Sequence, residues 1–461
     1  MDKKGNELSR REFLKRLGIG TFSAAALMGL EPLTSFARKM EDKPQVPGNV
    51  DNRMTYRINR HSGDKVSLLG YGMMRLPQKD GQIDQEMVNQ EVDYAIAHGI
   101  NYFDTAPVYG RGQSEVATGI ALSRHPRDKY MIATKMSNQN QRLWDFDKAK
   151  EMYETSFKKL QVDYIDYYLL HSIGGGGMDT LRGRFLDNGL LDFLLAERKA
   201  GRIRNLGFSY HGDVEPFDWL LDHNDEYQWD FVQIELNYLD WRHASTKGGR
   251  RHDADAEYLY NKLEKLGIQA VVMEPLLGGR LAKVPEEIAD QLKAERPEAT
   301  PASWAFRWVG TLPNILVALS GMTTMEVLEE NVKTFSPLDP CSEKEKEMLE
   351  RIADQMAGFP VVPCTACGYC MPCPYGVDIP GIFVHYNHLL MEGHAIDNIK
   401  DPNYKKYRKE YLVTYDRAIP KVRQADHCIG CGQCIPKCPQ QIMIPEELQR
   451  VGNFVEKLKK G

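Results

Sequence analysis

Eight of the nine cysteines in this 461-residue chain fall into two runs. They are Cys364, Cys367, Cys370 and Cys373, followed by Pro374, and then Cys428, Cys431, Cys434 and Cys438, followed by Pro439. Thiolates two residues apart let a tight loop wrap one iron–sulfur cubane, so the spacing predicts two [4Fe-4S] clusters. Zinc held by four thiolates is the alternative. Disulfides between cysteines this close in sequence would form with poor geometry. Cys341 stands apart and reads as an ordinary thiol. A second set is dispersed: Asp104 and Tyr109 five residues apart, then Lys135 and His171. A phenol beside a buried ammonium has its ionised form favoured, so its pKa is expected to fall towards working pH, where it exchanges a proton with a carbonyl or alcohol oxygen. The carboxylate would keep the lysine charged, and the imidazole would orient the substrate oxygen.

Residues so far apart in sequence meet only if neighbouring elements deliver them to one place. From Val66 onward, short apolar runs alternate with longer helical patterns, the signature of parallel strands joined by helices. Eight strand candidates are found: Val66–Tyr71, Asn101–Asp104, Tyr130–Lys135, Ile165–His171, Ile203–Ser209, Phe231–Leu236, Gln269–Met273 and Ile315–Leu319. Amphipathic stretches lie between them at Gln85–His98, Phe146–Leu160, Leu181–Ala200, Asp255–Leu266 and Thr324–Phe335. The pattern predicts an α/β fold, a (β/α)8 TIM barrel over residues 55–338, with function at the C-terminal ends of its strands. An open doubly wound sheet would need a glycine-rich phosphate loop after its first strand, and Gly70-Tyr71-Gly72-Met73 lacks the third glycine. Asp104, Lys135 and His171 end the second, third and fourth candidates. Gly174–Gly177, just after His171, reads either as a mobile lid or as a plain connector. Lys247, Arg250, Arg251 and His252 read as a solvated loop.

On these residues the chain resembles the aldo/keto reductases, whose Asp-Tyr-Lys-His tetrad occupies the same strand ends; Asp104, Tyr109, Lys135 and His171 match it residue for residue. The resemblance runs over about 270 residues and includes Gly207-Phe208-Ser209, Gln233-Ile234-Glu235-Leu236-Asn237-Tyr238 and Glu329-Glu330-Asn331. It implies NAD or NADP, with Ser209 and Gln233 on the nicotinamide carboxamide and Asn331 near the adenine. Two positions depart from the family. Met273 stands where many members stack a tyrosine on the nicotinamide, and the lysine and arginine that grip the 2′-phosphate of NADP are missing around Leu319–Val327.

Residues 339–461 are expected to form a linker helix and a small, mainly helical domain. About fifty residues separate the two cysteine runs, with helical patterns at Ile382–Glu392 and Tyr404–Tyr415, so this part resembles the fumarate-reductase-like ferredoxins. That resemblance implies crossed ligation, in which the cysteine preceding proline binds the other cluster. One cluster then takes Cys364, Cys367, Cys370 and Cys438, and the other takes Cys428, Cys431, Cys434 and Cys373. The first run has two rather than three residues before its last cysteine, a departure from the usual pattern.

At the N-terminus, Ser9-Arg10-Arg11-Glu12-Phe13-Leu14-Lys15 matches a twin-arginine export pattern, and a short apolar stretch, Leu17–Leu30, follows it. Ser35 and Ala37 suit a signal peptidase, so residues 1–37 read as a signal peptide, too short in its apolar part to anchor the chain stably in a membrane. The expected location is periplasmic or extracytoplasmic. A formal net charge of −5 offers no field that would gather nucleic acid. The function expected is an exported iron–sulfur oxidoreductase that interconverts a small-molecule carbonyl and alcohol, with electrons relayed to a redox partner protein. In the alternative, the clusters form an electron-transfer module and the barrel is mainly a docking scaffold. A third reading makes the clusters structural staples.

Overall fold

Eight short apolar segments pair in parallel, each with its successor, and the eighth returns to the first: β1 (Leu69–Gly72), β2 (Tyr102–Asp104), β3 (Met131–Met136), β4 (Ile165–Ile173), β5 (Ile203–Tyr210), β6 (Phe231–Glu235), β7 (Gln269–Met273) and β8 (Ile315–Ser320) form a closed barrel. This is a computed structural model, and it describes residues 53–244, 254–396 and 398–461. Residues 1–37, expected to be a signal peptide, and the basic residues Lys247, Arg250, Arg251 and His252 lie outside the described residues. Helices α1 (Gln85–Ala97), α2 (Ser114–Leu122), α3 (Phe146–Leu160), α4 (Leu190–Lys199), α5 (Val214–Asp222), α6 (Ala256–Lys265), α7 (Pro301–Thr311) and α8 (Met325–Thr334) each follow a strand.

Because side chains alternate along a strand, every second residue points into the barrel. Tyr102, Ala133, Tyr167, Leu169, Phe231, Val271, Val317 and Leu319 fill the interior as one apolar cluster. The other alternate faces pack outward against the helices in a much larger core. The expected first strand, Val66–Tyr71, divides in two. Lys65–Ser67 pairs antiparallel with Tyr56–Ile58 at the N-terminal end of the barrel, and only from Leu69 does the chain join β8. The expected helix Leu181–Ala200 also breaks. A short helix, Gly177–Leu181, runs into one wide turn at Arg182–Leu186; Gly189 then takes φ 74°, and the Asn188 carboxamide caps Leu190 N–H at 3.0 Å to start α4.

Beyond the barrel come α9 (Glu343–Ala357), α10 (Ile379–Met391), α11 (Tyr404–Ala418) and α12 (Ile444–Lys460). The last three share a second core of Ile382, Phe383, Tyr411, Tyr415, Val451 and Leu458. Among the described residues no helix is long and apolar enough to cross a membrane.

The junction between barrel and linker rests on one carboxylate. Ser342 and Glu345 form a reciprocal cap at the start of α9. Glu345 Oε2 accepts Ser342 N–H at 2.7 Å, both of its oxygens accept from Arg307 Nη2 of α7 at 3.1 Å, and Oε1 accepts from Arg296 Nε at 2.5 Å. Burial alone would raise the carboxyl pKa, but Arg307, the Ser342 N–H and Arg296 outweigh it and hold the group at about 2. The stabilisation is therefore present above the ordinary glutamate range and is lost as pH falls through about 2. Glu345→Gln should cost about 2 kcal/mol at neutral pH, read as a lower urea midpoint, with the difference closing as pH approaches the folded-state value. An equal loss at both pH extremes would assign the effect to packing instead of charge.

Candidate active site at the barrel mouth

The alternation that fills the barrel also ends it. One inward step beyond Tyr102 comes Asp104, beyond Ala133 comes Lys135, beyond Leu169 comes His171, beyond Gly207 comes Ser209, and beyond Phe231 come Gln233 and then Glu235. All are buried. Lys135 Nζ donates to Asp104 Oδ1 at 2.6 Å and to the Thr105 carbonyl at 2.9 Å. The same ammonium lies 5.2 Å from the centre of the Tyr109 ring, which meets the His171 ring edge-on at 6.0 Å. The four residues expected to act together therefore share one chamber.

Their charge states differ from the expectation in one respect. Burial, then the neighbouring Tyr369 and Asp104, push the Tyr109 phenol well above its ordinary range instead of lowering it. The ammonium's field is already answered by Asp104 at contact distance, so too little reaches the phenol to offset its loss of water. Burial likewise pushes the Asp104 carboxyl up and the Lys135 ammonium down, and their mutual attraction opposes both shifts. Burial, with Lys135 next, takes His171 well below its usual value, so the imidazole is neutral.

Two residues not singled out from the sequence hold His171, one at its imidazole and one at its backbone. Ser137 Oγ lies 2.7 Å from His171 Nδ1. Arg184 is buried, its guanidinium lowered to about 9 by burial; it donates to the carbonyls of His171 at 2.5 Å and Ser172 at 2.9 Å. Arg184 sits in the wide turn that interrupts the expected helix, and nothing in the sequence pattern pointed to its role. The Gly174–Gly177 run forms a turn secured by Asp213 N–H donating to the Gly174 carbonyl at 3.1 Å, and a side chain at Gly174 would meet the carbonyls of His211 and Asp213. It behaves as a tight connector.

The mouth is covered by the cysteine-bearing segment. Arg75, after β1, donates to the Thr365 carbonyl at 2.5 Å. Gln440 Nε2 donates to both oxygens of Glu235 at 2.7 and 2.8 Å. Tyr369, between Cys367 and Cys370, brings its hydroxyl into a hydrogen bond with Tyr109. Glu274, just after β7, is half-buried among Glu235, Arg75 and the Gly278 N–H. Burial and then Glu235 raise its carboxyl to about 7. None of these contacts was signalled by spacing or periodicity.

The residues expected to hold a dinucleotide divide. Gln233 Oε1 is buried with no partner, an acceptor suited to an amide. Ser209 Oγ accepts the Ser172 N–H at 2.8 Å, and Asn331 Nδ2 donates to Ser320 Oγ at 3.0 Å, so both are engaged within the barrel. The space in front of Tyr109 is taken by Tyr369. As the chain is folded here, these residues do not fit a nicotinamide dinucleotide.

The eight cysteines border two cavities. One is lined by Cys364, Cys367, Cys370 and Cys438. The other is lined by Cys373, Cys428, Cys431 and Cys434, with Cys370 between the two. The cysteines preceding Pro374 and Pro439 have each crossed to the opposite run. Among the described residues no three such side chains close on a single metal ion; the thiols stand around the cavities. Cys341 is buried and apart, its thiol raised to about 11 by burial.

Comparison with known proteins agrees with this architecture. The aldo/keto reductase family profile matches residues 68–354, and a 4Fe-4S dicluster domain profile matches residues 363–443. Among curated relatives, a probable aldo-keto reductase of Glycine max is 27% identical over 328 residues, 63% of this chain and 86% of that protein. The L-galactose dehydrogenase of Arabidopsis thaliana is 24% identical over 318 residues, 65% of this chain and 93% of that protein. A solved aldo-keto reductase from Bacillus halodurans, in its holo form, superimposes with a TM-score of 0.51 at 22% identity, covering 65% of this chain and 96% of its own. This chain belongs to the aldo/keto reductase family and is an oxidoreductase with a 4Fe-4S dicluster region appended to its barrel.

Removing only the carboxylate of the buried pair strands its partner charge. Asp104→Ala should cost about 3–5 kcal/mol of stability, while the double change Asp104→Leu with Lys135→Met recovers most of it. Urea unfolding of the three proteins checks this, and a fully stable Asp104→Ala protein would contradict it.

Proposed function

We propose that this protein interconverts a small-molecule carbonyl and its alcohol at the barrel mouth, outside the cytoplasm, with Tyr109 exchanging the proton at the substrate oxygen. The observation that carries the reading is the enclosure of Asp104, Lys135, Tyr109 and His171 in one buried chamber. A phenol kept protonated by burial is a general acid suited to a carbonyl oxygen gaining negative charge. Lys135 and the neutral His171 would stabilise and orient that oxygen. Cys364, Cys367, Cys370 and Cys438 would hold the cluster nearer the mouth, and Cys373, Cys428, Cys431 and Cys434 the other. When bound, the two clusters would each supply or take one electron, together the pair that separates a carbonyl from its alcohol, with a redox partner protein as the external donor or acceptor.

One observation favours the electron-transfer module with a scaffold barrel: Tyr109 is only 8% exposed beneath its cover. The readings separate on one substitution. Tyr109→Phe should lower carbonyl or alcohol turnover by roughly 100-fold or more while leaving iron content unchanged; undiminished turnover would reject the proton-transfer role.

Export rests on Arg10 and Arg11. Changing both to lysine should leave the protein, unprocessed, in the cytoplasmic fraction, whereas normal processing and export would remove the twin-arginine assignment.

A further inference from the structure

The loops after five of the eight strands carry a contact with the cysteine-bearing segment. Arg75 after β1 reaches Thr365, and Tyr109 after β2 meets Tyr369. Gly212 after β5 lies against the Gln441 side chain. Glu235, ending β6, holds Gln440. Gly278 after β7 is pressed so closely by the next segment that a Cβ there would stand 2.6 Å from Thr365 Cα and 2.9 Å from its carbonyl oxygen. Gly278 takes φ 65° and has backbone for its neighbour, so neither it nor Thr365 yields easily. These contacts ring Ser209 and Gln233, which the family resemblance assigns to nicotinamide, and Tyr109, beside which any nicotinamide must lie to exchange hydride with the same substrate carbon.

We infer that residues Thr365–Tyr369 and Gln440 are a built-in replacement for the dinucleotide. They fill the place beside Tyr109 and over Gly278 that a nicotinamide nucleotide would need, so the folded protein binds neither NAD(H) nor NADP(H), and a substrate oxygen reaches Tyr109 only by displacing the Tyr369 hydroxyl from it. Three independent features agree. Arg75, a cation near the mouth, donates to a peptide carbonyl of the cover. Ser209 Oγ and Asn331 Nδ2 each already hold a partner within the barrel. Met273 offers no aromatic ring for a nicotinamide to stack on. The cover is anchored by polar contacts where it touches the barrel, Gln440 Nε2 donating to both Glu235 oxygens and the Thr365 carbonyl accepting from Arg75, so it is a seated surface and not a loose flap.

The inference rests on Tyr109 marking the reacting site, and its test is chosen to fail separately from that reading. Full-length protein, purified anaerobically with its iron, is equilibrated with NADH and with NADPH, and binding is measured by equilibrium dialysis. No saturable binding is expected up to about 1 mM (a dissociation constant of about 1 mM corresponds to about −4 kcal/mol). Acid-denatured protein should release no nicotinamide nucleotide. Tyr369→Ala, with iron content confirmed, should raise NADH affinity at least about tenfold by clearing the space before Tyr109. Micromolar binding by the wild-type protein, or nucleotide released in proportion to protein, would overturn the inference. So would an iron-replete Tyr369→Ala protein whose affinity is unchanged. In any of these cases the role of Tyr109 stands or falls on its own substitution.

Discussion

Everything at the mouth of this barrel depends on the cysteine-bearing segment being seated against it. Gln440 on Glu235, Arg75 on Thr365 and the close approach of Thr365 to Gly278 bring a second domain onto the loops that aldo/keto reductase barrels use for function. The consequence is electrostatic as much as steric. With water excluded, an ammonium, a carboxylate, a phenol and an imidazole are left to set one another's charge states. The outcome is a tight Asp104–Lys135 pair, a neutral His171 and a protonated Tyr109.

That arrangement explains why one expectation from residue types fails. Placing a phenol near an ammonium lowers its pKa only if the ammonium's field reaches it with little competition and the phenol keeps some solvation. Here Asp104 touches the ammonium at 2.6 Å, and Tyr369 covers the phenol. On the proposed reading, a phenol held protonated in this way is placed to act as a proton donor.

Much of the barrel is legible in the sequence because burial on both faces leaves continuous apolar runs. Gln269–Met273 and Phe146–Leu160 were recognisable to the residue. Asp104, Lys135 and His171 could be placed at strand ends because each terminates such a run. The cysteines were legible for another reason: the ligand geometry of a cubane imposes local spacing, and the crossing expected by resemblance to two-cluster ferredoxins matches the two sets of cysteines around the two cavities. The barrel pattern called for helices where α2, α5 and α7 lie without placing their residues, and α12 was not located. Nor were contacts made across long sequence distances: Arg184 under His171, Tyr369 at Tyr109, Gln440 on Glu235. They follow from tertiary docking of separate elements, which no window of sequence contains. Tyr369 illustrates the difficulty, since in its own segment it is simply a residue between two cysteines.

The central claim is that the first cysteine loop, carrying a cubane, closes the barrel over Tyr109. Crystallographic data from anaerobically prepared protein, collected at the iron absorption edge, would test it most directly. The account predicts two compact iron peaks. One is bounded by Cys364, Cys367, Cys370 and Cys438, with the Tyr369 ring between it and Tyr109; the other lies among Cys373, Cys428, Cys431 and Cys434. Iron bound within each run without crossing, or a cysteine domain standing clear of an open barrel mouth, would contradict it.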